Sequence, residues 1–109
     1  MTILITIHVA YTLSTIFSNP VHVTVSEYHL SLSVSNPDPL LNETIYFEGY
    51  LELNSTPVPD RIVTLFESND DSQSWNAVDT TFTDAAGFYT FTRNMTLAGE
   101  FDYKTGFAP

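Results

Sequence analysis

This chain has no cysteine, and its only basic residues are Arg61, Arg93 and Lys104 among 109 positions. The first absence excludes a disulfide framework, a thiolate metal site and a cysteine nucleophile. The second leaves no basic footprint, so nucleic acid is excluded as a partner. Thirteen acids against those three bases give a formal net charge of −10. A surface that acidic is repelled by anionic lipid headgroups, and its simplest role is a solvated face. A long apolar run is missing too. Met1 to Phe17 is interrupted by Thr2, Thr6, His8, Thr12, Ser14 and Thr15, well short of the ~18 unbroken apolar residues of a membrane helix. It also lacks the positively charged start of a secretory signal, although a degenerate signal sequence is the alternative reading. Ile3, Ile5, Ile7 and Val9 alternate with Leu4, Thr6, His8 and Ala10, which is the period of a strand. No stretch sustains a helical period.

What is present suits one small all-β domain. Hydrophobic residues make up 43% of the chain, with eight Phe, six Tyr and one Trp, enough for a single core at this length. Period-two alternation recurs at Val21–Val25, at Tyr28, Leu30, Leu32 and Val34, and most cleanly at Ile45, Phe47, Gly49, Leu51 and Leu53. It returns at Ile62–Glu67, at Val78–Phe82 after Trp75, at Phe88–Arg93 and at Phe101, Tyr103 and Thr105. Pro20, Asn36-Pro37-Asp38-Pro39 and the stretch holding Pro57 and Pro59 separate them, because each proline fixes its φ and restricts the residue before it. Gly49 inside a strand predicts a bulge or a close backbone approach. The expected core is Leu32, Phe47, Leu51, Val63, Leu65, Trp75, Val78, Tyr89, Phe91 and Tyr103.

The most informative stretch is Thr83-Asp84-Ala85-Ala86-Gly87-Phe88-Tyr89-Thr90-Phe91. Asp84 can accept a bond from the backbone two residues on and Gly87 can take a positive φ, which together predict a tight hairpin. With Gly49, Pro57-Val58-Pro59 before Val63-Thr64-Leu65, Trp75 after an acidic loop, and Gly99-x-Phe101-x-Tyr103, the span Leu30–Phe107 resembles the immunoglobulin-like repeats of bacterial and archaeal surface proteins and adhesins. The same turn recurs in prealbumin-like modules. The resemblance implies an Ig-like antiparallel β-sandwich of about seven strands over residues 26–109, preceded by an N-terminal strand segment at 1–25. It further implies an extracellular or cell-surface place, and a structural or adhesive role among neighbouring repeats or other surface proteins. In such repeats a final strand follows the late aromatic strand. Here Ser18 to Val25 has that character but precedes the first strand, as in a slice cut out of phase from an array. Strand exchange between copies is therefore an expectation.

No constellation of residues reads as an active site. His8, His22 and His29 sit at strand-like positions without motif partners, and there is no Gly-x-Ser-x-Gly elbow, so catalytic residues are expected to be none. The acids Glu48 and Glu52 read as a solvated strand face. Around Asp70 and Asp71, with Glu67 beside them, a calcium loop would need six or more oxygen ligands. The EF-hand spacing is absent, and a polar hairpin loop explains these residues better, so no metal or cofactor is expected. Lys104, the only lysine, alternates outward, which disfavours a self-formed isopeptide crosslink. Outward Tyr46 and Tyr50 leave a carbohydrate-binding module as the alternative function, against ordinary cross-strand packing. Three sequons, at Asn42, Asn54 and Asn94, favour export mildly.

Overall fold

Alternation in the sequence becomes sheet because a strand turns successive side chains to opposite faces. The computed structural model describes residues 14–109; the alternating Ile3–Val9 stretch and His8 lie outside them. Eight strands form: β1 (Tyr28–Leu30), β2 (Ser33–Val34), β3 (Thr44–Leu53), β4 (Thr56–Pro57), β5 (Ile62–Ser68), β6 (Asn76–Phe82), β7 (Phe88–Asn94) and β8 (Asp102–Phe107). All described pairings are antiparallel, and no helix is present among the described residues. One sheet is built around β3, which pairs with β1, β2, β4 and β7, and the other runs β6-β5-β8. The expected all-β class is what the chain adopts. The eight strands, against an expected seven or so, include the short β4 and a first strand divided into β1 and β2.

The two sheets face each other across one core. From the first sheet come Ile45, Phe47, Tyr89 and Phe91, and from the second Val63 and Leu65. Leu30, Leu32, Val78, Met95, Tyr103 and Phe107 pack around them. Leu51 is fully buried as well. Nine of the ten expected core residues therefore face this interior. Trp75 does not join the cluster: it is half-buried on the outer face of the second sheet, with the Lys104 ammonium 4.3 Å from its ring centroid. The polar loop before β6 carries Trp75 to that face, where a cation stacks on it. Val78 reaches the core through a bulge in the β5–β6 ladder, where Leu65 pairs with Asp79 and Phe66 with Ala77.

The division between β1 and β2 has a local cause. The register is continuous, with Leu30 opposite Leu51 and Ser33 opposite Glu48. At Ser31, however, the carbonyl leaves the ladder to accept the Tyr89 hydroxyl. The Ser31 hydroxyl replaces it, accepting the Tyr50 N–H at 2.8 Å. Gly49 permits this, since a Cβ there would overlap the Ser31 carbonyl and lie 2.6 Å from the Tyr89 hydroxyl. The glycine thus marks a close backbone approach, and the bulge lies elsewhere.

The Asp84 turn corrects the sequence reading. Locally it is tight: Gly87 N–H donates to the Asp84 carbonyl at 2.9 Å, and the Asp84 carboxylate accepts from Ala86 and Phe88 N–H at 2.9 and 3.0 Å. Yet it joins strands of different sheets, since β6 pairs with β5 and β7 with β3. It is an arch over the core rather than a hairpin. Thr83 sets the divergence. Buried at its start, Thr83 exchanges backbone bonds with Asp60 and Arg61 (3.0 and 2.9 Å), and its hydroxyl donates to Val58 carbonyl at 2.7 Å. Leading into the first sheet, Ser26 and Glu27 are tied to Asn54. Residues 14–25 before them are exposed and belong to no strand.

Gly87 has φ +74, and a Cβ there would lie 2.5 Å from the Leu51 carbonyl oxygen. Left-handed strain and this overlap act together, so Gly87→Val is expected to destabilise the domain by about 2–4 kcal/mol in denaturant unfolding. An unchanged midpoint would contradict the arch.

Candidate functional site

Two polar clusters and one aromatic strip are the candidates. The first is the loop between β5 and β6. Ser68, buried at the end of β5, donates its hydroxyl to the Asp70 carboxylate at 2.7 Å and accepts from Ser72 N–H at 3.1 Å. The same carboxylate accepts the Ser74 N–H at 2.9 Å and, on its other oxygen, the Ser74 hydroxyl. Ser72 in turn donates to Asp102 at 2.9 Å, which ties the loop to β8. Both Asp70 oxygens are engaged in closing the loop. The hydroxyl and N–H donors of Ser74 and Ser68 hold its carboxyl down at about 2, below the ordinary 3.8, because each bond favours the ionised form. Glu67 does not join the loop but turns between the sheets. Among the described residues, no group of three or more His, Asp or Glu side chains is placed to hold a metal.

The second cluster lies inside the sandwich, where the inward alternation of three strands places polar groups at one level. Glu67 follows Val63 and Leu65 on β5, Arg93 follows Tyr89 and Phe91 on β7, and Tyr103 sits opposite Glu67 on β8. Arg93 donates to Glu67 at 3.0 Å and Tyr103 donates to the same oxygen at 2.5 Å. Burial, reinforced by the Glu67 carboxylate, pushes the Tyr103 hydroxyl up to about 12. Burial opposes the charge on Arg93, but bonds to Glu67 and Tyr103 outweigh it and raise the guanidinium above its ordinary value. The cluster links both sheets and has the form of a charge-assisted clamp. Sequence reasoning took Tyr103 for core and missed its partners. The signal was present: each charge lies two residues beyond an inward apolar pair.

Other candidates stay apart. His22 and His29 are exposed, and among the described residues His22 meets Thr24 at 3.2 Å. Glu48 is exposed and Glu52, opposite His29, is half-buried. Lys104 points outward over Trp75, away from the interior where a crosslink would form. Asn42, Asn54 and Asn94 are all exposed, but the Asn54 amide is occupied by Ser26 and Glu27. Tyr46 and Tyr50 are 54% and 50% exposed on the outward face of β3, and Tyr50 leans on Phe88 with ring centroids 5.2 Å apart. No helix of the described residues is long and apolar enough to cross a membrane.

Set beside known proteins, the chain matches no family model, no curated protein and no solved structure.

Two titrations follow. Folding lowers the Asp70 pKa from 3.8 to about 2, so its stabilising effect is complete above pH 3.8 and is lost as pH falls through about 2. Carbon-13 NMR is expected to place the Asp70 midpoint near 2, and Ser74→Ala to move it upward. For Tyr103 the sign reverses. Its neutral form is favoured by folding, so that contribution holds below pH 10.0 and fades as pH rises through about 12. Glu67→Gln, by removing the neighbouring negative charge, is expected to bring the Tyr103 midpoint down toward 10.0.

Proposed function

We propose that this domain is a non-enzymatic structural or adhesive Ig-like module of a cell-surface protein, working outside the cell beside neighbouring repeats or other surface proteins. The observation that supports this reading best is how the interior polar side chains are used. Glu67, Arg93 and Tyr103 bond one another across the two sheets, and the Tyr89 hydroxyl bonds Ser31 and Thr105. These polar side chains between the sheets tie one sheet to the other. Exposed Asn42 and Asn94, each in a glycosylation sequon, suit an exported surface.

A second reading rests on a specific feature. Tyr46 and Tyr50 are half-exposed on one face of β3, about 13 Å apart along the strand, and a row of aromatic rings can stack on sugars. The same fold would then act as a carbohydrate-binding module.

Two measurements test these readings. An antibody against the domain is expected to label intact cells of the source organism; labelling only after permeabilisation overturns the surface placement. On a glycan array the structural reading expects no saccharide-specific retention. Retention that disappears in both Tyr46→Ala and Tyr50→Ala would replace it with the carbohydrate reading.

A further inference from the structure

Among the described residues β8 pairs with β5 alone, so alternate residues from Asp102 to Phe107 turn outward N–H and C=O groups that no described residue bonds. Across from the Asp102 end of that outer edge stands β2 of the other sheet, and there a groove of about 790 Å³ opens, walled also by the loops at 36–41 and 95–101. Leu32, Val34, Ile45, Phe47, Phe101 and Tyr103 line it. The groove thus offers apolar side chains on both walls, and the outer backbone edge of β8 begins in it at Asp102 and Tyr103. That combination suits an added β-strand.

The chain itself carries a segment of matching form. Val21, Val23 and Val25 are 84%, 74% and 85% exposed, alternating with His22 and Thr24, and none of residues 14–25 belongs to a strand. β-branched residues at period two are strand-forming and present one apolar face. Charge selects in the same direction. All thirteen acids lie between Glu27 and Asp102, whereas residues 14–25 contain no Asp, Glu, Lys or Arg. This segment can therefore approach an acidic body without like-charge repulsion.

We propose that the β2–β8 groove binds the Val21–Val25 segment of a second copy of this chain as an additional strand. The segment's attachment argues for a second copy over its own groove. Ser26 and Glu27 are held by Asn54, with Glu27 N–H donating to the Asn54 amide oxygen at 3.0 Å and Asn54 N–H donating to the Glu27 carbonyl at 3.1 Å. These two residues would have to form the reversal needed for the segment to fold back on its own β8. Polarity fits as well. Tyr28 at the start of β1 stacks on Phe107 at the end of β8, with centroids 4.9 Å apart. A strand antiparallel to β8 would start at that end of one copy, run to the Asp102 end, and continue into the β1 of the next. The contact is then head-to-tail and heterologous, and it propagates into an open chain rather than closing a dimer. It does not depend on a surface location or a sugar ligand, so its failure is separable from failure of the reading above.

The test is self-association of the full chain by light scattering up to about 1 mM, the range where weak contacts register. The wild-type chain is expected to grow from monomer to dimer and longer species with concentration. Val23→Asp, at a position exposed in the free chain, is expected to keep the circular dichroism spectrum while weakening association roughly tenfold or more, because it places a charge in the groove; Val23→Ile should preserve association. A synthetic Asn19–Val25 peptide should break the assemblies down to monomer and shift the amide resonances of β8 and β2. A wild-type monomer across that range overturns the proposal, including one whose Val21–Val25 amides are protected by folding back. Association that Val23→Asp leaves intact, or that leaves β8 amides unchanged, overturns it equally.

Discussion

The hydroxyl of Tyr89 is the point on which this sandwich depends. It donates to the Ser31 carbonyl beside β1 and meets the Thr105 hydroxyl of β8 at 2.9 Å, so one buried atom joins the first strand of one sheet to the last strand of the other. Burial raises the Tyr89 hydroxyl above its ordinary pKa, which keeps it neutral and able to donate. The arrangement costs the ladder one carbonyl, and the Ser31 hydroxyl makes good that loss with the Tyr50 N–H. Gly49 supplies the space. A buried polar group left unpaired would cost on the order of 1–3 kcal/mol, so Tyr89, Ser31, Thr105, Tyr50 and Gly49 are interdependent: each is tolerable because the others are there.

Similar polar ties secure the ends. Near the arch, buried Thr83 holds the Val58–Arg61 loop through its hydroxyl and backbone. At the opposite end buried Ser68 and exposed Asp70 knit the β5–β6 loop, and Glu67, Arg93 and Tyr103 connect the sheets just inside it. Between them lies the apolar layer of Ile45, Phe47, Val63, Leu65, Tyr89 and Phe91. The domain thus combines an ordinary hydrophobic core, whose burial is the main stabilising force, with directional bonds that fix the sheets' mutual register. Among the described residues the outer edge of β8 is unpaired, and its Asp102 end borders an apolar groove.

Much of this was legible in particular residues. Period-two alternation identified β3, β5, β7 and β8, and picked out Phe47, Leu51, Val63, Leu65, Tyr89 and Phe91 as interior, because a strand with one buried face must alternate. Asp84 and Gly87 announced a turn through their own local chemistry, and the outward positions of Tyr46, Tyr50 and Lys104 followed from the same period. These are short-range properties, carried by each segment independent of its neighbours.

Partnership between segments was decided only by the tertiary structure. Whether the Asp84 turn closes a hairpin or an arch depends on which strands β6 and β7 pair with, and that choice belongs to β5 and β3. Trp75 lies on the outer face, where Lys104 stacks on it from a strand 29 residues away. Ser31 and Thr83 became structural through atoms 58 and 25 residues away in sequence. The clamp of Glu67, Arg93 and Tyr103 gathers three strands separated by loops; local alternation turns each side chain inward but does not say that the three meet. The sequence by itself determined the strands and the faces they bury, since these follow from local periodicity. The structure decided which polar groups meet, since that requires the chain to close contacts over long distances.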